Sequence, residues 1–289
     1  MYLEKLVESA KRTKSILCFC LDPLPEHIPL IGFLEHRITE YYIAIFNAMD
    51  KAQCYPAALK FNEAYFLALD DPFTTCHGSN ALRELVLKIR SHPTLSILPM
   101  IMDCKRCDIG KSAERYAKYY FEKWKVDAIT VSPYTGEEGL APFEKYEKKG
   151  VYVLAKTSNN ASVQDMAINE HGALSRWMCQ WISAGNEKCP SLGAVVSGRD
   201  TNDVAQHLSY LSPTVPLLIP GIGTQGGNAK EITAIIAKTQ NPLYHRIAIG
   251  SSIAYAWTKK NDPTCFAERA LEALKTENET ILGELNGII

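Results

Sequence analysis

Short apolar runs recur along the whole chain, and amphipathic stretches separate them. Apolar runs of about four to eight residues, bounded by polar or turn-forming residues, are typical of buried strands. Eight such runs predict strands, at residues 16–22, 57–61, 97–103, 126–131, 151–156, 193–197, 215–219 and 246–250. Between them, apolar residues at helical spacing predict helices, and the pattern is clearest at residues 109–124, 228–238 and 262–286.

This alternation of strands and helices predicts a parallel sheet, because each crossover helix returns the chain to the same end of the sheet. Eight strands is the number that closes such a sheet, so we predict an α/β fold of the (β/α)₈ TIM-barrel type. A doubly wound open sheet is the alternative. No linker, internal repeat or low-complexity segment interrupts the pattern, and residues 1–289 are therefore expected to form a single domain.

The segments outside this pattern are short. Residues 70–80 and 183–191 are rich in small and polar side chains and predict loops. Residues 1–12 mix charged and apolar side chains and predict a covering helix rather than the apolar segment of a signal peptide. No apolar run approaches the ~18 residues that a membrane-spanning helix needs, so no membrane partner is expected.

The composition and charge of the chain restrict its partners further. Of its 289 residues 46% are hydrophobic and 22% charged, which is ordinary for a globular protein. A formal net charge of −1 gives no electrostatic basis for binding nucleic acid. The nine cysteines are scattered and odd in number, which favours free thiols in the cytoplasm. Cys104 and Cys107 form a C-x-x-C pair, but no second pair or nearby histidine completes a metal site, and no metal is expected.

Charged residues stand at the ends of several predicted strands. The third strand runs into Asp103 and Lys105, which a period of two places on the same face. Asp22 ends the first strand, and Lys60 lies at the end of the second. Each has an ordinary explanation, as a turn residue, a solvated lysine or a local ion pair. In a barrel, however, the carboxyl ends of all strands meet at one face, so these residues predict a compact cluster of alternating charge there.

A glycine-rich loop follows the seventh predicted strand. Gly221, Gly223 and Gly226 fit the pattern G-x-G-x-x-G, and a predicted helix follows. The position after the seventh strand, and the lack of an acidic residue at the end of the next one, argue against dinucleotide binding. In barrels the loops after strands seven and eight often bind phosphate through main-chain N–H groups. We therefore favour a phosphate-binding loop, with a purely structural tight turn as the alternative.

Taken in order, these motifs resemble the orotidine 5′-phosphate decarboxylase family, in particular its longer bacterial-type branch. The hallmark Asp-x-Lys-x-x-Asp-Ile is matched by residues 103–109, the upstream lysine by Lys60 and the first-strand aspartate by Asp22. Later motifs of that branch are matched by residues 127–136, 154–159 and 220–227. The resemblance covers most of the chain. It implies a barrel enzyme that converts orotidine 5′-phosphate to uridine 5′-phosphate in pyrimidine synthesis without a metal or organic cofactor.

The resemblance also implies a catalytic tetrad and a composite active site. Lys60, Asp103, Lys105 and Asp108 would form the tetrad, with Asp108 reaching in from the second subunit of a homodimer. Lys105 would stabilise negative charge on C6 of the pyrimidine and then protonate that carbon. The flanking aspartates are expected to keep Lys105 protonated despite burial.

Other residues would bind the substrate. By the resemblance, Ser158 would recognise the pyrimidine edge, Asp22 the ribose hydroxyls, and Gln225 would close over the phosphate. Ser112 falls where the family has a hydroxyl residue that reaches across the dimer. The remaining candidates follow the second, seventh and eighth strands, and they are Asn62, Gly226, Gly227 and Ser252.

One position departs from the family pattern. The family places an arginine after the glycine of the eighth strand, and this chain has Ser251 there. A serine cannot replace the charged, two-pronged contact of a guanidinium with phosphate, so we expect weaker phosphate binding than in relatives that keep the arginine. Main-chain N–H groups of the glycine loop and of Ser252 would compensate in part, and Arg246 and Arg199 are alternative cations.

Two other functions stay open. Ser251 suggests a nucleotide- or phosphate-binding homologue with reduced or no turnover, although all four tetrad residues are present. A metal-dependent decarboxylase or aldolase of keto-sugar phosphates would use the same barrel around Mg²⁺. Lys60 argues against it, because an ammonium group would compete with the cation. An NAD-dependent oxidoreductase is more distant, since the glycine loop is in the wrong place.

Overall fold

The computed structural model describes residues 1–159, 163–168 and 172–289. Its strands are Leu17–Leu21 (β1), Ala58–Asn62 (β2), Met100–Arg106 (β3), Ala128–Val131 (β4), Gly150–Lys156 (β5), Leu192–Val196 (β6), Leu217–Ile219 (β7) and Arg246–Ile249 (β8). Its α-helices are Tyr2–Thr13 (α1), Leu34–Ala52 (α2), Glu63–Leu67 (α3), His77–Ser91 (α4), Gly110–Lys118 (α5), Gly136–Glu144 (α6), Leu174–Lys188 (α7), Thr201–Tyr210 (α8), Ala229–Ile236 (α9), Ser251–Ala254 (α10) and Phe266–Glu284 (α11). A π-helical turn, Tyr119–Lys123, extends α5.

The eight strands form one closed parallel sheet in chain order. β1 pairs with β2 on one side and with β8 on the other, so that Cys18 lies opposite both Ala58 and Ala248. At least one α-helix follows every strand. An open sheet would leave two unpaired edges, so this closure excludes the doubly wound alternative. The predicted (β/α)₈ barrel is confirmed.

Apolar side chains form two layers around the strands. A small cluster fills the barrel interior, and it contains Cys18, Cys20, Ala58, Ile101, Ala128, Tyr152, Val195, Leu218 and Ala248. A larger cluster lies between the strands and the surrounding helices. In the described part of the chain, none of these helices is long and apolar enough to cross a membrane. Along β2, β3 and β4 the inward positions continue from Ala58, Ile101 and Ala128 to polar residues, because side chains of a strand alternate between the two faces.

Helix α1 closes the amino end of the barrel, and it is the covering helix that the sequence predicts. Tyr2 donates a hydrogen bond to the hydroxyl of Tyr152, at 3.0 Å, inside the barrel. Arg246, fully buried at the start of β8, donates to the carbonyl of Leu6 at 2.5 Å and to Ser9 Oγ at 2.7 Å. These contacts fasten the helix to the strands and leave the carboxyl end as the open face.

The third strand is displaced from its predicted range of 97–103. β3 begins at Met100 and continues to Arg106, because Leu95–Ile97 form a 3₁₀ turn and Pro99 has no N–H to donate to the sheet. The displacement matters for the site. Asp103 lies within β3 rather than at its end.

Two predicted loops are partly helical. Helix α7 continues to Lys188, into the range 183–191, and α4 begins at His77, inside the range 70–80. Serine and asparagine favour loops because their side chains compete for main-chain hydrogen bonds. Here Ser183 Oγ instead donates to a carbonyl one turn earlier in the helix, at 2.9 Å, so the helix is not interrupted.

Candidate active site

A cavity of about 250 Å³ opens at the carboxyl ends of the strands, where sites of this fold lie. Its polar lining includes Asp22, Lys60, Asn62, Asp103, Lys105, Thr130, Thr157, Ser158, Thr224, Gln225 and Ser251. Its apolar lining includes residues of the barrel interior, such as Cys20, Leu154, Val195, Leu218 and Ala248. The cavity therefore combines a charged side, formed by β1 to β4, with a neutral polar side formed by the later loops.

Three of the predicted tetrad residues form a continuous chain of ion pairs. Lys60 Nζ lies 2.8 Å from Asp103 Oδ2, and Lys105 Nζ lies 2.6 Å from Asp103 Oδ1. The two oxygens of one carboxylate thus accept from two different lysines. This arrangement follows from the register of β2 and β3, in which Asn62 lies opposite Asp103 and places the inward Lys60 next to it.

The two lysines keep Asp103 ionised. Burial alone would raise the pKa of the Asp103 carboxyl, but the ammonium groups of Lys60 and Lys105 hold it well below its usual range. Burial alone would lower the pKa of Lys60, but the carboxylates of Asp103 and Asp22 raise it well above its ordinary value. The charges are therefore in place before any ligand enters.

Lys105 is the accessible amine of the pair. Its side chain is 46% exposed, whereas that of Lys60 is 6% exposed. The expectation that Lys105 is buried is wrong for the single chain. The buried lysine is Lys60 instead. An exposed ammonium group held by a fixed carboxylate can meet a ligand, and Lys105 is placed to do so.

A bulge in β3 presents Lys105 to the cavity. Residues 103–105 of β3 lie opposite Thr130 of β4, because the pairing of the two strands shifts register there. Lys105 has a φ of 44°, in the left-handed region that residues other than glycine rarely adopt. Simple alternation predicts that Asp103 and Lys105 share a face, and the prediction is confirmed. The bulge itself, which sets the position of Lys105, is not visible in the alternation.

Thr130 is a site residue that the sequence analysis missed. Its Oγ1 accepts the main-chain N–H of Lys105 at 2.9 Å and donates to Asp103 Oδ1, also at 2.9 Å. The side chain is buried, and Thr130 lies opposite the bulge. The available signal was its position: Thr130 stands two residues after the inward Ala128, in an otherwise apolar strand.

Asp22 lies on the other side of Lys60. Its Oδ1 is 4.0 Å from Lys60 Nζ, and it is buried without a hydrogen-bond partner among the described residues. Burial raises the pKa of the Asp22 carboxyl above its ordinary value, and Lys60 and the main-chain N–H of Asn62 counter only part of this effect. A buried acceptor that lines a cavity and lacks a partner is suited to bind a hydroxyl donor of a ligand.

Asp108 and Ser112 are not brought into this cavity. Asp108 Oδ1 accepts the N–H of Ile109 at 2.8 Å, and Ser112 is exposed near the start of α5. Neither is among the described residues that line the cavity of its own chain. The action of both residues in a second subunit stays a prediction.

Three further predicted substrate-binding residues line the cavity. Ser158, half-buried after β5, and Gln225, exposed after β7, both line the cavity. Asn62 lines it as well, and its side chain caps α3 by accepting the N–H of Ala64 at 3.3 Å. The structure thus brings Asn62, Ser158 and Gln225 to the same cavity as the ion pairs.

The glycine loop after β7 is closed by its own hydrogen bonds. Gly226 donates to the carbonyl of Gly223 at 2.9 Å, and Gly227 donates to that of Gly221 at 3.1 Å. A Cβ at position 227 would lie 2.2 Å from the carbonyl oxygen of Gly198, so only glycine fits there. Both N–H groups have acceptors inside the loop, as in the tight-turn alternative. Their binding of phosphate stays a prediction.

Hydroxyl groups stand where the family pattern has its arginine. Ser251, the first residue of α10, lines the cavity, and its Oγ lies 3.1 Å from Thr224 Oγ1 in the glycine loop. Ser252 Oγ is buried and has no hydrogen-bond partner among the described residues. The loops after β7 and β8 therefore meet through neutral donors.

The two alternative arginines lie at different ends of the barrel. Arg246 begins β8 at the amino end and also donates to the carbonyls of Leu243 and His245, at 3.0 and 2.8 Å. The suggestion that it binds phosphate is therefore wrong. Arg199 follows β6 at the carboxyl end, and its guanidinium lies 3.4 Å from the carbonyl of Ser158. It stays a candidate for the phosphate cation.

The potential metal ligands are dispersed. Among the described residues no group of three or more histidine, cysteine, aspartate or glutamate side chains could hold a metal ion. Cys104 Sγ donates to the carbonyl of Thr130 at 3.6 Å, whereas Cys107 is exposed, so the C-x-x-C pair does not form a common site. All nine cysteines are free thiols.

Comparison with known proteins gives the same family as the motifs. Residues 15–262 match the sequence model of the orotidine 5′-phosphate decarboxylase / HUMPS family. The chain is 33% identical over 272 residues to orotidine 5′-phosphate decarboxylase of Herpetosiphon aurantiacus, covering 90% of this chain and 94% of that protein. It is 34% identical over 254 residues to the enzyme of the same name from Verminephrobacter eiseniae, covering 84% and 86% respectively.

Solved structures show the same architecture. The OMP decarboxylase of Leishmania donovani superposes with a TM-score of 0.72 at 27% identity, over 96% of this chain and 99% of that one. The orotidine 5′-monophosphate decarboxylase of Plasmodium berghei has the same fold, with a TM-score of 0.72 at 19% identity over 97% and 99% of the two chains. The chain belongs to the orotidine 5′-phosphate decarboxylase / HUMPS family.

Proposed function

We propose that the protein decarboxylates orotidine 5′-phosphate to uridine 5′-phosphate, a step of de novo pyrimidine synthesis. The observation that carries this proposal is the chain of ion pairs, in which the exposed amine of Lys105 lies 2.6 Å from a carboxylate that the buried Lys60 keeps ionised. Family membership supports the choice of substrate. In the proposed binding mode the pyrimidine ring lies beside the ion pairs and the phosphate lies near the loops after β7 and β8.

The proposed mechanism uses Lys105 twice. When the bond between C6 and the carboxylate breaks, CO₂ leaves and the electron pair stays on C6, where the ring delocalises it poorly. A fixed ammonium group next to C6 stabilises this carbanion through electrostatic attraction in a partly desolvated site. The same ammonium group then transfers a proton to C6, which yields uridine 5′-phosphate and a neutral lysine that is reprotonated from solvent. One oxygen of the Asp103 carboxylate holds Lys105 in position, and Lys60 binds the other oxygen.

The remaining contacts orient the ring. Asp22 offers an unpartnered oxygen to the ribose hydroxyls, and Asn62 lies beside it. Ser158 approaches the pyrimidine edge from the loop after β5, and Gln225 approaches the phosphate from the loop after β7. Binding energy gained at the remote phosphate orients the reacting carbon, which lowers the barrier more than it tightens ground-state binding.

The phosphate site depends on hydroxyl donors in this proposal. Ser251 and Thr224 line the cavity, and the buried hydroxyl of Ser252 lies next to Ser251 in α10. Arg199 is the nearby guanidinium that could add charge. The weaker phosphate binding expected from Ser251, relative to family members with an arginine there, stays a prediction.

The active unit is proposed to be a homodimer with composite sites. Asp108 and Ser112 lie outside the cavity of their own chain, and the apolar Ile109 between them is 51% exposed. A second copy that covers this segment would place the fourth tetrad carboxylate against its neighbour's Lys105.

We also assign residues 1–289 to one decarboxylase domain and the protein to the cytoplasm, where nine free thiols stay reduced.

The test is to follow the ultraviolet absorbance of orotidine 5′-phosphate during incubation with the purified protein, with and without a chelator. We expect conversion that is insensitive to the chelator. Lys105→Ala is expected to lower kcat by at least about 10³-fold, because it removes both the cation and the proton donor. Lys145→Ala is the matched control, since Lys145 is 66% exposed and pairs only with Glu114 among the described residues.

Other outcomes would identify the alternatives. Binding of uridine 5′-phosphate without release of CO₂ from orotidine 5′-phosphate would favour a binding homologue. Activity that is lost with the chelator and restored by Mg²⁺ would favour a metal-dependent reaction. Full activity in Lys105→Ala would contradict the proposed role of the amine.

A further inference from the structure

A second ionic cluster lies directly behind the bulge of β3, on the outer face of the barrel. Arg106, the residue after Lys105, forms an ion pair through Nη2 with the carboxylate of Glu63. Its Nε donates to the hydroxyl of Tyr120 at 2.6 Å. That hydroxyl in turn lies 2.9 and 2.8 Å from the two oxygens of Glu63. We call these three residues the Arg106 anchor.

The Arg106 anchor joins three elements that surround the site. Glu63 begins α3 and directly follows Asn62, a cavity residue at the end of β2. Tyr120 lies in the π-helical turn that extends α5, and it is fully buried. The guanidinium carbon of Arg106 also lies 4.6 Å from the ring centre of Tyr116 in α5, at cation–π distance. The last residue of β3 is therefore held from both neighbouring segments of the chain.

The bulge needs such support. A left-handed backbone at a lysine is strained, and residues 103–105 lack regular pairing with β4. Thr130 holds the inner side of the bulge through the N–H of Lys105. Regular pairing resumes at Arg106, whose carbonyl accepts the N–H of Ser132 at 2.8 Å. The position of Lys105 is thus set between Thr130 on the inside and Arg106 on the outside.

We propose that Arg106 is a positioning residue for Lys105: held by Glu63 and Tyr120, it fixes the bulge so that the ammonium group stays beside Asp103. This inference rests on the proposed decarboxylation for its kinetic test. Arg106 lines no part of the cavity among the described residues and would not touch the substrate. Its loss should therefore alter the chemical step rather than substrate binding.

The kinetic test compares Arg106→Leu with Arg106→Lys and a control. Arg106→Leu is expected to lower kcat on the order of 10²-fold while KM changes by less than about threefold, because a misplaced amine weakens transition-state contacts only. Arg106→Lys keeps the ion pair with Glu63 and should recover part of the loss. In a Lys105→Ala background, Arg106→Leu should cost less than about threefold more, since the residue it positions is gone.

Arg269→Leu is the matched control for general destabilisation. The side chains of Arg269 and Arg106 are both 27% exposed. Arg269 lies in α11, far along the chain, and also forms an ion pair, with Asp262 at 2.9 Å. Arg269→Leu should lower the melting temperature but leave kcat unchanged. If Arg106→Leu behaves like this control, or raises KM with kcat unchanged, the proposal is overturned.

Amide hydrogen exchange gives a readout that does not depend on turnover. Exchange of the main-chain N–H of Lys105, which Thr130 protects, should accelerate more than about tenfold in Arg106→Leu but not in Arg269→Leu. If Arg106→Leu does not fold, Tyr120→Phe removes one anchor contact with little change in shape and should show smaller changes of the same kind. Absence of turnover in the wild type would contradict the proposed function alone. Unchanged amide exchange at Lys105 in Arg106→Leu would contradict the role of Arg106.

Discussion

The two ends of the barrel both bury a cation, and they neutralise it in different ways. At the amino end Arg246 donates to the carbonyls of Leu6, Leu243 and His245 and to the hydroxyl of Ser9. At the carboxyl end Lys60 faces two carboxylates. Four neutral oxygens accept from the two terminal nitrogens of the guanidinium, whereas its Nε is buried without a hydrogen-bond partner among the described residues. The carboxylates instead bring a second lysine to the cavity.

The difference shows why burial of charge has different consequences at the two ends. Arg246 is 0% exposed and fastens α1 to β8, so its hydrogen bonds contribute to stability. At the other end Asp22 Oδ1 has no partner within the described chain, and Lys105 is half exposed. Groups left incompletely satisfied cost stability, but where they line a cavity, as Asp22 does, a ligand can bind them. Substitutions at the two ends can separate these effects.

Asp103→Asn is expected to have the largest effect, on both activity and stability. The variant leaves Lys60 buried without its closest carboxylate, and removal of one partner of a buried pair costs roughly 3–5 kcal/mol. It also frees Lys105, so kcat should fall by at least about 10³-fold. Urea unfolding and the rate of orotidine 5′-phosphate conversion measure the two losses.

The pH dependence of this stability difference has a defined sign. The pKa of Asp103 is lowered in the folded state, so its contribution is fully present above the ordinary carboxyl pKa and is lost as the pH falls through the folded value. The gap between wild type and Asp103→Asn should stay constant from about pH 7 to pH 5 and narrow below about pH 4. An unchanged unfolding free energy at neutral pH would mean that Asp22 alone neutralises Lys60.

Arg246→Met is expected to lower stability without lowering activity. Methionine fills a similar volume, but it removes four buried hydrogen bonds, which we expect to cost about 3 kcal/mol and several degrees of melting temperature. Below the melting range kcat should stay within about twofold of wild type, because the residue lies at the closed end. A kcat loss above about tenfold in folded protein would show that the two ends are coupled.

Sequence patterns predict most of this arrangement where a simple period applies. Alternation places Lys60 and Asp103 inside the barrel, and the number of strands predicts its closure. The patterns fail where the structure departs from a period. The bulge at Lys105 and the role of Thr130 depend on a register shift between neighbouring strands, which neither strand reveals alone. Burial of Lys60 rather than Lys105 is likewise a tertiary property.

Closeness in sequence also fails to predict which residues share one end of the barrel. The sequence offers Arg246 as an alternative cation for phosphate, and it lies only five residues before Ser251. The strand between them crosses the whole barrel and places the two residues at opposite ends. Asp108 and Ser112 are a different case, since their predicted partners belong to a second copy that a single chain does not contain.

Asp22→Asn is expected to produce the smallest change and the sharpest contrast. Burial raises the pKa of Asp22 in the folded state, so its charge lowers stability as the pH rises through that value. The amide removes this charge and should raise the melting temperature by about 2 °C at pH 7, with the gain vanishing below about pH 4. Loss of a charged acceptor should weaken binding of uridine 5′-phosphate about tenfold.

Asp127→Asn provides the comparison from the amino end. Asp127 Oδ2 accepts from Lys5 Nζ at 2.7 Å and from the N–H of Met100 at 2.9 Å, so this oxygen, unlike Asp22 Oδ1, has hydrogen-bond partners within the chain. Its replacement should lower the melting temperature and leave nucleotide binding unchanged. If Asp22→Asn is also destabilising, the unpartnered oxygen is stabilised within the free protein by Lys60, and the carboxyl end is not held in a strained state for its ligand. Opposite signs for two aspartate-to-asparagine changes would locate the stability cost of the site at a single oxygen atom.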